Sequence, residues 1–262
     1  MLSIDQLGNA IEFDIPPKRI ISLVPSQTEL LIDLGLQQKL VGITRFCIHP
    51  SAVVTNISKV GGTKNFDLET IKKLNPDLIV GNKEENYESG IAELKKHFPV
   101  WMSDIFNLTD VYSMMNELGR ITNSQTVANL LINHIRSGFN RLPSVVDNTK
   151  TAAYFIWRKP YMVAAGNTFI NSMLAVLGVK NTFETYQRYP EIKPEMLLEL
   201  NPDFIFLSSE PYLFGKKHLD EFQSFAPGSQ LFLVDGEMFS WYGSRLKNAP
   251  EYFAQLRKKI PI

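Results

Sequence analysis

The side chains in this sequence best suited to chemistry are aromatic and cationic. Phe46, Trp157, Tyr189, Trp241 and Tyr242 fall in expected loops or at the ends of expected strands, which is where open α/β sheets carry their sites. A core aromatic sits more often inside a strand or on a helix stripe, and that remains the alternative for each. Flat aromatic walls with a few placed donors suit a large, mostly apolar ligand with polar fringes. Arg158 and Arg245 are the candidate donors, for carboxylates or amides. The alternative for each arginine is a surface salt bridge.

Other chemistries find less support. His49, His97, His134 and His218 are scattered through different elements, and Cys47 with His49 lacks a third ligand, so no metal site is expected. Glu84 and Glu85 are neighbours in sequence that point different ways and read as helix-start charges. No G-x-S-x-G, G-x-G-x-x-G or phosphate-cradling glycine loop occurs. VAAGNTF, residues 163–169, has one glycine and reads as a turn into a helix. Catalysis is therefore not expected, and no cofactor is called for. An α/β enzyme acting on a nucleotide or sugar is the alternative from another class.

A chain of 262 residues holds one large domain or two lobes. Its formal net charge of zero, without a long basic run, argues against nucleic acid as a partner. The single cysteine, Cys47, forms no internal disulfide and leaves the compartment open. No apolar run approaches the roughly 18 residues of a membrane span. The opening MLSIDQLGNAIEF lacks the basic and apolar regions of a signal peptide. Either the protein works inside the cell or a signal has been removed.

These residues must be positioned by a scaffold that alternates strands and helices, the pattern of an α/β fold with mainly parallel sheets. Residues 2–15 suggest a hairpin around a Gly-Asn turn. RIISLVP, residues 19–25, is a continuous apolar run, as expected of a strand covered on both faces. Ser26 then serves as a helix cap, with Glu29 as its capping-box partner. LVGIT, LIVG and VWMSD are further strands of a first lobe, and Thr109 caps the helix that runs to Ile121. Ser124 to Leu142 reads as one helix, capped by Ser124 and ended by Pro143, with a stripe of Val127, Leu130, Leu131, Ile135, Phe139 and Leu142. It is expected to span roughly 28 Å as a stiff connector. Afterwards TAAYFIW, FIFLS and LFLVDG, the last read as buried, supply the strands of a second lobe. The expected domains are residues 1–108, a helical connector over 109–142, and residues 143–262.

The two halves share a repeat. DLETIKKLNPDLIVG, residues 67–81, matches KPEMLLELNPDFIFL, residues 193–207, with Glu195 following Glu69 and Asn201 following Asn75 at the same offset of 126. In both, proline ends the helix and the Asn and Asp suit the turn into a strand. Glu69 and Glu195 become equivalent positions in the first turn of a helix, where a carboxylate favours the dipole and stays exposed. A helix-start charge with no further role is the alternative.

With these pieces in hand the chain resembles the substrate-binding proteins of ABC importers for vitamin B12, haem and iron-siderophores. The resemblance rests on PPKRIISLVPSQTELL, LVGITRFCIHP, VGGTKNFDLETIKKLNPDLIVGNKEEN, FIWRKPYMVAAGNTFI, EIKPEMLLELNPDFIFL and FSWYGSRL. It implies two Rossmann-like lobes joined by one long helix, a small-molecule ligand held between them, and a monomer that closes only slightly. It implies that Glu69 and Glu195 dock onto arginines of the importer permease. The cobalamin branch is the nearest in pattern, which implies a corrinoid ligand. Its cleft residues fall on Phe46, near Trp157, on Tyr189 and on Glu237 to Arg245. Thr63 and Asn82 stand where that branch carries tryptophans, so a ferric siderophore or haem, with an axial His or Tyr, is the alternative ligand. The resemblance implies a periplasmic or cell-envelope location with the signal removed, and a cytoplasmic one is the alternative.

Overall fold

A computed structural model of the chain describes residues 2–12, 16–143 and 149–260. Residues 13–15 of the expected N-terminal hairpin segment, 144–148 at the start of the expected second lobe, and 261–262 at its end lie outside the described residues. The chain divides into two compact units. The first comprises Met1–Ile105, Thr109–Ser137 and Tyr242–Lys247. The second comprises Phe106–Leu108, Gly138–Trp241 and Asn248–Ile262.

In the first unit β1 (Leu2–Ile4) and β2 (Ala10–Glu12) form an antiparallel pair. The connection is longer than a two-residue turn, because the Asp5 carboxylate accepts the N–H groups of Leu7 and Asn9. Gly8 supplies the positive φ of 81° that this loop requires. The main sheet follows: β3 (Ile20–Ser22), α1 (Pro25–Asp33), β4 (Leu40–Ile43), α2 (Ser51–Val54), α3 (Leu68–Leu74), β5 (Leu78–Asn82), α4 (Glu88–Lys95) and β6 (Val100–Ser103). Its order is β4-β3-β5-β6, all parallel. Ile20 and Ile21 in β3 have no exposed surface, which explains the unbroken apolar run.

Helix α1 starts one residue before the expected cap. Pro25 occupies the first turn, where its missing N–H goes unneeded, and Ser26 and Glu29 both lie inside the helix. The helix ends with Gly35 at φ 83°. Thr109 likewise lies inside α5 (Leu108–Ile121) and not at its start.

Helix α6 (Gln125–Asn140) follows, 16 residues long, with its last three in the second unit. Its buried positions are Ala128, Ile132 and Ile135. Two members of the expected stripe, Val127 and Leu130, are 38% and 66% exposed. The buried face is therefore rotated from the expected one, because a small residue sets the contact: a Cβ on Gly119 would come within 2.5 Å of that of Ala128. Arg136 lies 4.7 Å above the Tyr112 ring, so α5 and α6 pack as an antiparallel pair.

The second unit contains β7 (Thr151–Trp157), β8 (Met162–Ala164), α7 (Phe169–Leu177), β9 (Lys180–Asn181), α8 (Glu195–Leu200), β10 (Phe204–Ser208), α9 (Leu219–Phe225), β11 (Gln230–Val234), α10 (Glu237–Ser240) and α11 (Ala249–Arg257). Strands β11, β10 and β7 are parallel, β9 runs parallel to the start of β7, and β8 pairs antiparallel with its end. Thr168 caps α7 by accepting the Asn171 N–H, and Gly178 closes it at φ 96°. The last strand, expected to be buried, forms the sheet edge; Leu233 is 41% exposed and of its five residues only Val234 is buried. Phe155, Phe183 and Phe222 anchor the core beneath the sheet.

The repeat has a mechanical basis. Asn75 and Asn201 end α3 and α8 in the left-handed region, at φ 44° and 41°. The aspartate two residues on then holds the start of a neighbouring strand. Asp77 accepts the N–H groups of Lys18 and Arg19, ahead of β3. Asp203 accepts the N–H of Thr151 at the head of β7, and Lys150 pairs with it at 2.7 Å. The shared Leu-Asn-Pro-Asp thus splices a helix end to the beginning of the parallel strand beside it.

Candidate functional site

In the first unit the loops after the parallel strands carry Phe46 and Asn82. Phe46 follows β4 and is 49% exposed. Its backbone turn is pinned, since Arg45 N–H donates to the Gly61 carbonyl at 2.8 Å and Cys47 N–H to that of Thr44 at 3.1 Å. The ring rests against Gly62, where a Cβ would lie 3.1 Å from Phe46 Cε2. Arg45 stacks its guanidinium over the ring at 5.1 Å.

Asn82, at the end of β5, is 2% exposed. Its amide nitrogen donates to the Ser103 carbonyl and hydroxyl, and its oxygen accepts the N–H groups of Glu84 and Glu85. Its amide donors are spent on Ser103 at the end of β6 and its oxygen on its own loop, which makes it a support for neighbouring residues and not a free donor.

Arg245 also lies in the first unit. It grips the Glu29 carboxylate through Nε at 2.7 Å and Nη2 at 2.8 Å. Glu29, expected to close a capping box, is thereby used for an ion pair. Beside them, Cys47 is buried among Thr28 and Thr44. Burial pushes its thiol up, against the pull of hydrogen bonds to Thr28 and Thr44, so it is a poor nucleophile.

In the second unit Trp157 ends β7 and is 39% exposed, with Nε1 donating to the Lys159 carbonyl. Tyr212 packs edge-on against it at 5.7 Å. Arg158 is held by Glu221, with Nε and Nη2 at 2.9 and 2.8 Å from Oε2. Tyr161 donates to the same carboxylate, and burial together with that bond pushes its hydroxyl up to about 12. The Tyr212 hydroxyl lies 3.2 Å from His218 Nε2, while His218 Nδ1 accepts the Gly215 N–H. That bond places the imidazole proton on Nε2, so His218 donates to Tyr212. Both candidate arginines therefore have carboxylate partners, Arg158 in a partly exposed pair and Arg245 in a mostly buried one.

Tyr189 is half-buried beside Arg188, whose guanidinium lies 5.6 Å over the Phe106 ring. Glu237 opens α10 and is half-buried; its N–H donates to Asp235. Trp241, just past α10, is 8% exposed and donates through Nε1 to Glu210 at 2.8 Å. Ser240 donates to the other oxygen of that carboxylate. Burial pushes the Glu210 carboxyl above its ordinary range; the donors Ser240 and Trp241 pull it back, and Glu237 and Asp235 push it further up.

Glu69 and Glu195 are both exposed, in the first turns of α3 and α8. Asp67 caps α3 by accepting the N–H groups of Glu69 and Thr70. Lys72 lies 3.3 Å from Glu69. In α8 the equivalent of Lys72 is Leu198, which is 59% exposed.

Arg45, Tyr212 and Glu210 were not singled out in the sequence. Arg45 and Glu210 follow β4 and β10, so the rule that sites gather beyond the carboxyl ends of strands points to both. A concavity of about 330 Å³ lined by Asn171, Ala175, Val179, Lys180, Asn181 and Glu184 lies beside α7 and β9. Its walls are mainly polar, unlike the aromatic surfaces at Phe46 and Trp157. Among the described residues no three His, Cys, Asp or Glu side chains are placed to hold a metal, and no helix is long and apolar enough to cross a membrane.

Two α/β units with parallel sheets, each presenting an exposed aromatic at or just past a strand end, define a solute-binding protein of the two-lobed class. The profile of the periplasmic binding protein family matches residues 20–227, and the chain belongs to that family. Its members are transport binders and not enzymes. The chain is 27% identical over 215 residues to the uncharacterized ABC transporter substrate-binding lipoprotein YvrC of Bacillus subtilis, covering 78% of this chain and 68% of that protein. It is 25% identical over 197 residues to a vitamin B12-binding protein of Vibrio parahaemolyticus, covering 74% and 71%. In fold it is similar to the periplasmic vitamin B12-binding protein BtuF of Vibrio cholerae, with a TM-score of 0.77 and 21% identity over 94% of this chain and 99% of that one.

Proposed function

We propose that this chain is the solute receptor of an ABC importer and that its solute is a corrinoid of the vitamin B12 type. The observation that carries the reading is the pair of exposed aromatic side chains, Phe46 at 49% in the loop after β4 and Trp157 at 39% as the last residue of β7. A large aromatic side chain left this exposed at the end of a strand or in the loop after it suits a flat, mostly apolar ligand. The relatives named for vitamin B12 support the choice of ligand. On the second unit Tyr189, Glu237 and Trp241 add ligand-contacting surface to that of Trp157, while Asn82 supports its loop and Arg158 and Arg245 are held by Glu221 and Glu29.

Glu69 and Glu195 serve as docking carboxylates for the permease. Both are exposed, both open a helix of the same repeated design, and neither is needed for its unit's core. The receptor works in the cell envelope, in keeping with a lipoprotein relative. Equilibrium dialysis against cyanocobalamin tests the reading. Retention of one equivalent per chain supports it, and equal concentrations on both sides of the membrane reject it.

A further inference from the structure

We infer that Arg45 is a ligand-binding residue and that it selects ligands bearing an anionic group on the flat ring system. The inference rests on the solute-receptor reading given above and adds the charge of the solute to it. Three observations meet at this side chain. First, its neighbour Phe46 is the most exposed aromatic of the proposed ligand wall, and the Arg45 guanidinium lies 5.1 Å above that ring. Second, the backbone under it is fixed, by the Arg45 N–H to Gly61 bond and by Gly62, whose missing Cβ leaves room for both Phe46 and Arg45. Third, among the described residues no carboxylate pairs with it, whereas Arg158 and Arg245 are held by Glu221 and Glu29.

A guanidinium held over an aromatic ring spends none of its fork of N–H donors on a hydrogen bond there. That fork matches a carboxylate or a phosphate in a two-pronged contact. The contact with the ring also restricts the side chain beforehand, so less rotamer freedom is lost when an acceptor arrives. Asn82 cannot do the same work because its amide is saturated by Ser103 of β6 and by the N–H groups of Glu84 and Glu85. Lys83, the nearest cation in that loop, is paired with Asp104 at 2.7 Å. The anionic group can be a ring carboxylate or the phosphodiester of a nucleotide tail, and probes separate the two.

The test compares wild type with Arg45→Met and Arg45→Lys by absorbance titration with three corrinoids. Cobyric acid carries one ring carboxylate, cyanocobalamin a phosphodiester, and dicyanocobinamide neither. The expected result is that Arg45→Met weakens at least one of the first two by about tenfold, the scale of one charge-assisted hydrogen bond. Dicyanocobinamide should change less than about twofold. Arg45→Lys should recover part of the loss, since the charge returns without the fork. Loss confined to cobyric acid assigns the carboxylate, and loss confined to cyanocobalamin the phosphodiester. Equal effects of Arg45→Met on all three corrinoids, or none on any, overturn the inference while leaving the corrinoid reading intact. Should no corrinoid bind, that reading falls and the same variants are titrated with haemin and its dimethyl ester. Weakening of haemin alone then still supports Arg45, and equal binding of both forms overturns it.

Discussion

Arg245 and Glu29 stand 216 residues apart in sequence and form a two-pronged ion pair, with Nε 2.7 Å from Oε2 and Nη2 2.8 Å from Oε1. Their side chains are only 14% and 11% exposed. One turn further along α1, Lys247 reaches Asp33 at 3.0 Å. Together these pairs hold Tyr242–Lys247 on α1 within the first unit. Breaking a desolvated pair leaves a charge uncompensated. Arg245→Met and Glu29→Gln should each lower stability by about 2 kcal/mol in urea unfolding. The double variant should cost about 1 kcal/mol or more less than their sum. Simple additivity would show that the two side chains do not depend on each other.

Trp157 ends β7 and stays 39% exposed although Tyr212 packs edge-on against it. Trp157→Ala should weaken corrinoid binding by about 1.5 kcal/mol or more, the scale of an aromatic anchor. A folded variant with unchanged affinity, measured by absorbance titration, removes Trp157 from the ligand wall.

Glu69 and Glu195 lie on short helices that each bury one residue, Ile71 and Leu197. Replacing both by alanine should leave solute affinity unchanged and weaken attachment to the permease in nanodiscs by roughly tenfold or more, since docking carboxylates act on association with a cationic partner. Loss of solute binding in the double variant would place these residues on the wrong surface.

Glu210 gives a dependence on pH whose sign follows from its burial. Its folded-state carboxyl titrates above the ordinary value of 4.5, so the native chain holds this proton more tightly than the unfolded chain does. Its contribution to stability is then greatest at low pH and is lost as pH rises through the folded-state value. The stability of wild type relative to Glu210→Gln should decline as pH is raised from 4.5 towards neutrality. A relative stability that grows over the same range contradicts the burial assigned to this carboxylate.

The alternation of strands and helices, and the repeat, were legible because both are written in local chemistry. Apolar runs such as RIISLVP mark strands covered on both faces, and Leu-Asn-Pro-Asp fixes a helix end by φ restriction alone. What the sequence could not show is that Asp77 and Asp203 each hold the strand beside them, because that use is tertiary. The same limit hid the partners of Arg158 and Arg245. Glu221 and Glu29 lie 63 and 216 residues away, and no spacing rule reaches that far. The stripe expected on α6 failed for a related reason. Ala128 was too small to count as a core residue, yet its contact with Gly119 decides which face turns inward. Phe46 and Trp157 stood out in the sequence because an aromatic in a loop or at a strand end is unusual in itself, and both are exposed, whereas Arg45 did not stand out because exposed arginines are common.

The most direct measurement of the central claim is an absorbance titration of the purified chain with cyanocobalamin, haemin and a ferric siderophore under one set of conditions. A saturable spectral shift with cyanocobalamin at one equivalent per chain, absent with haemin and the siderophore, is the predicted result. Saturation by haemin or the ferric siderophore, with no shift for any corrinoid, would contradict it.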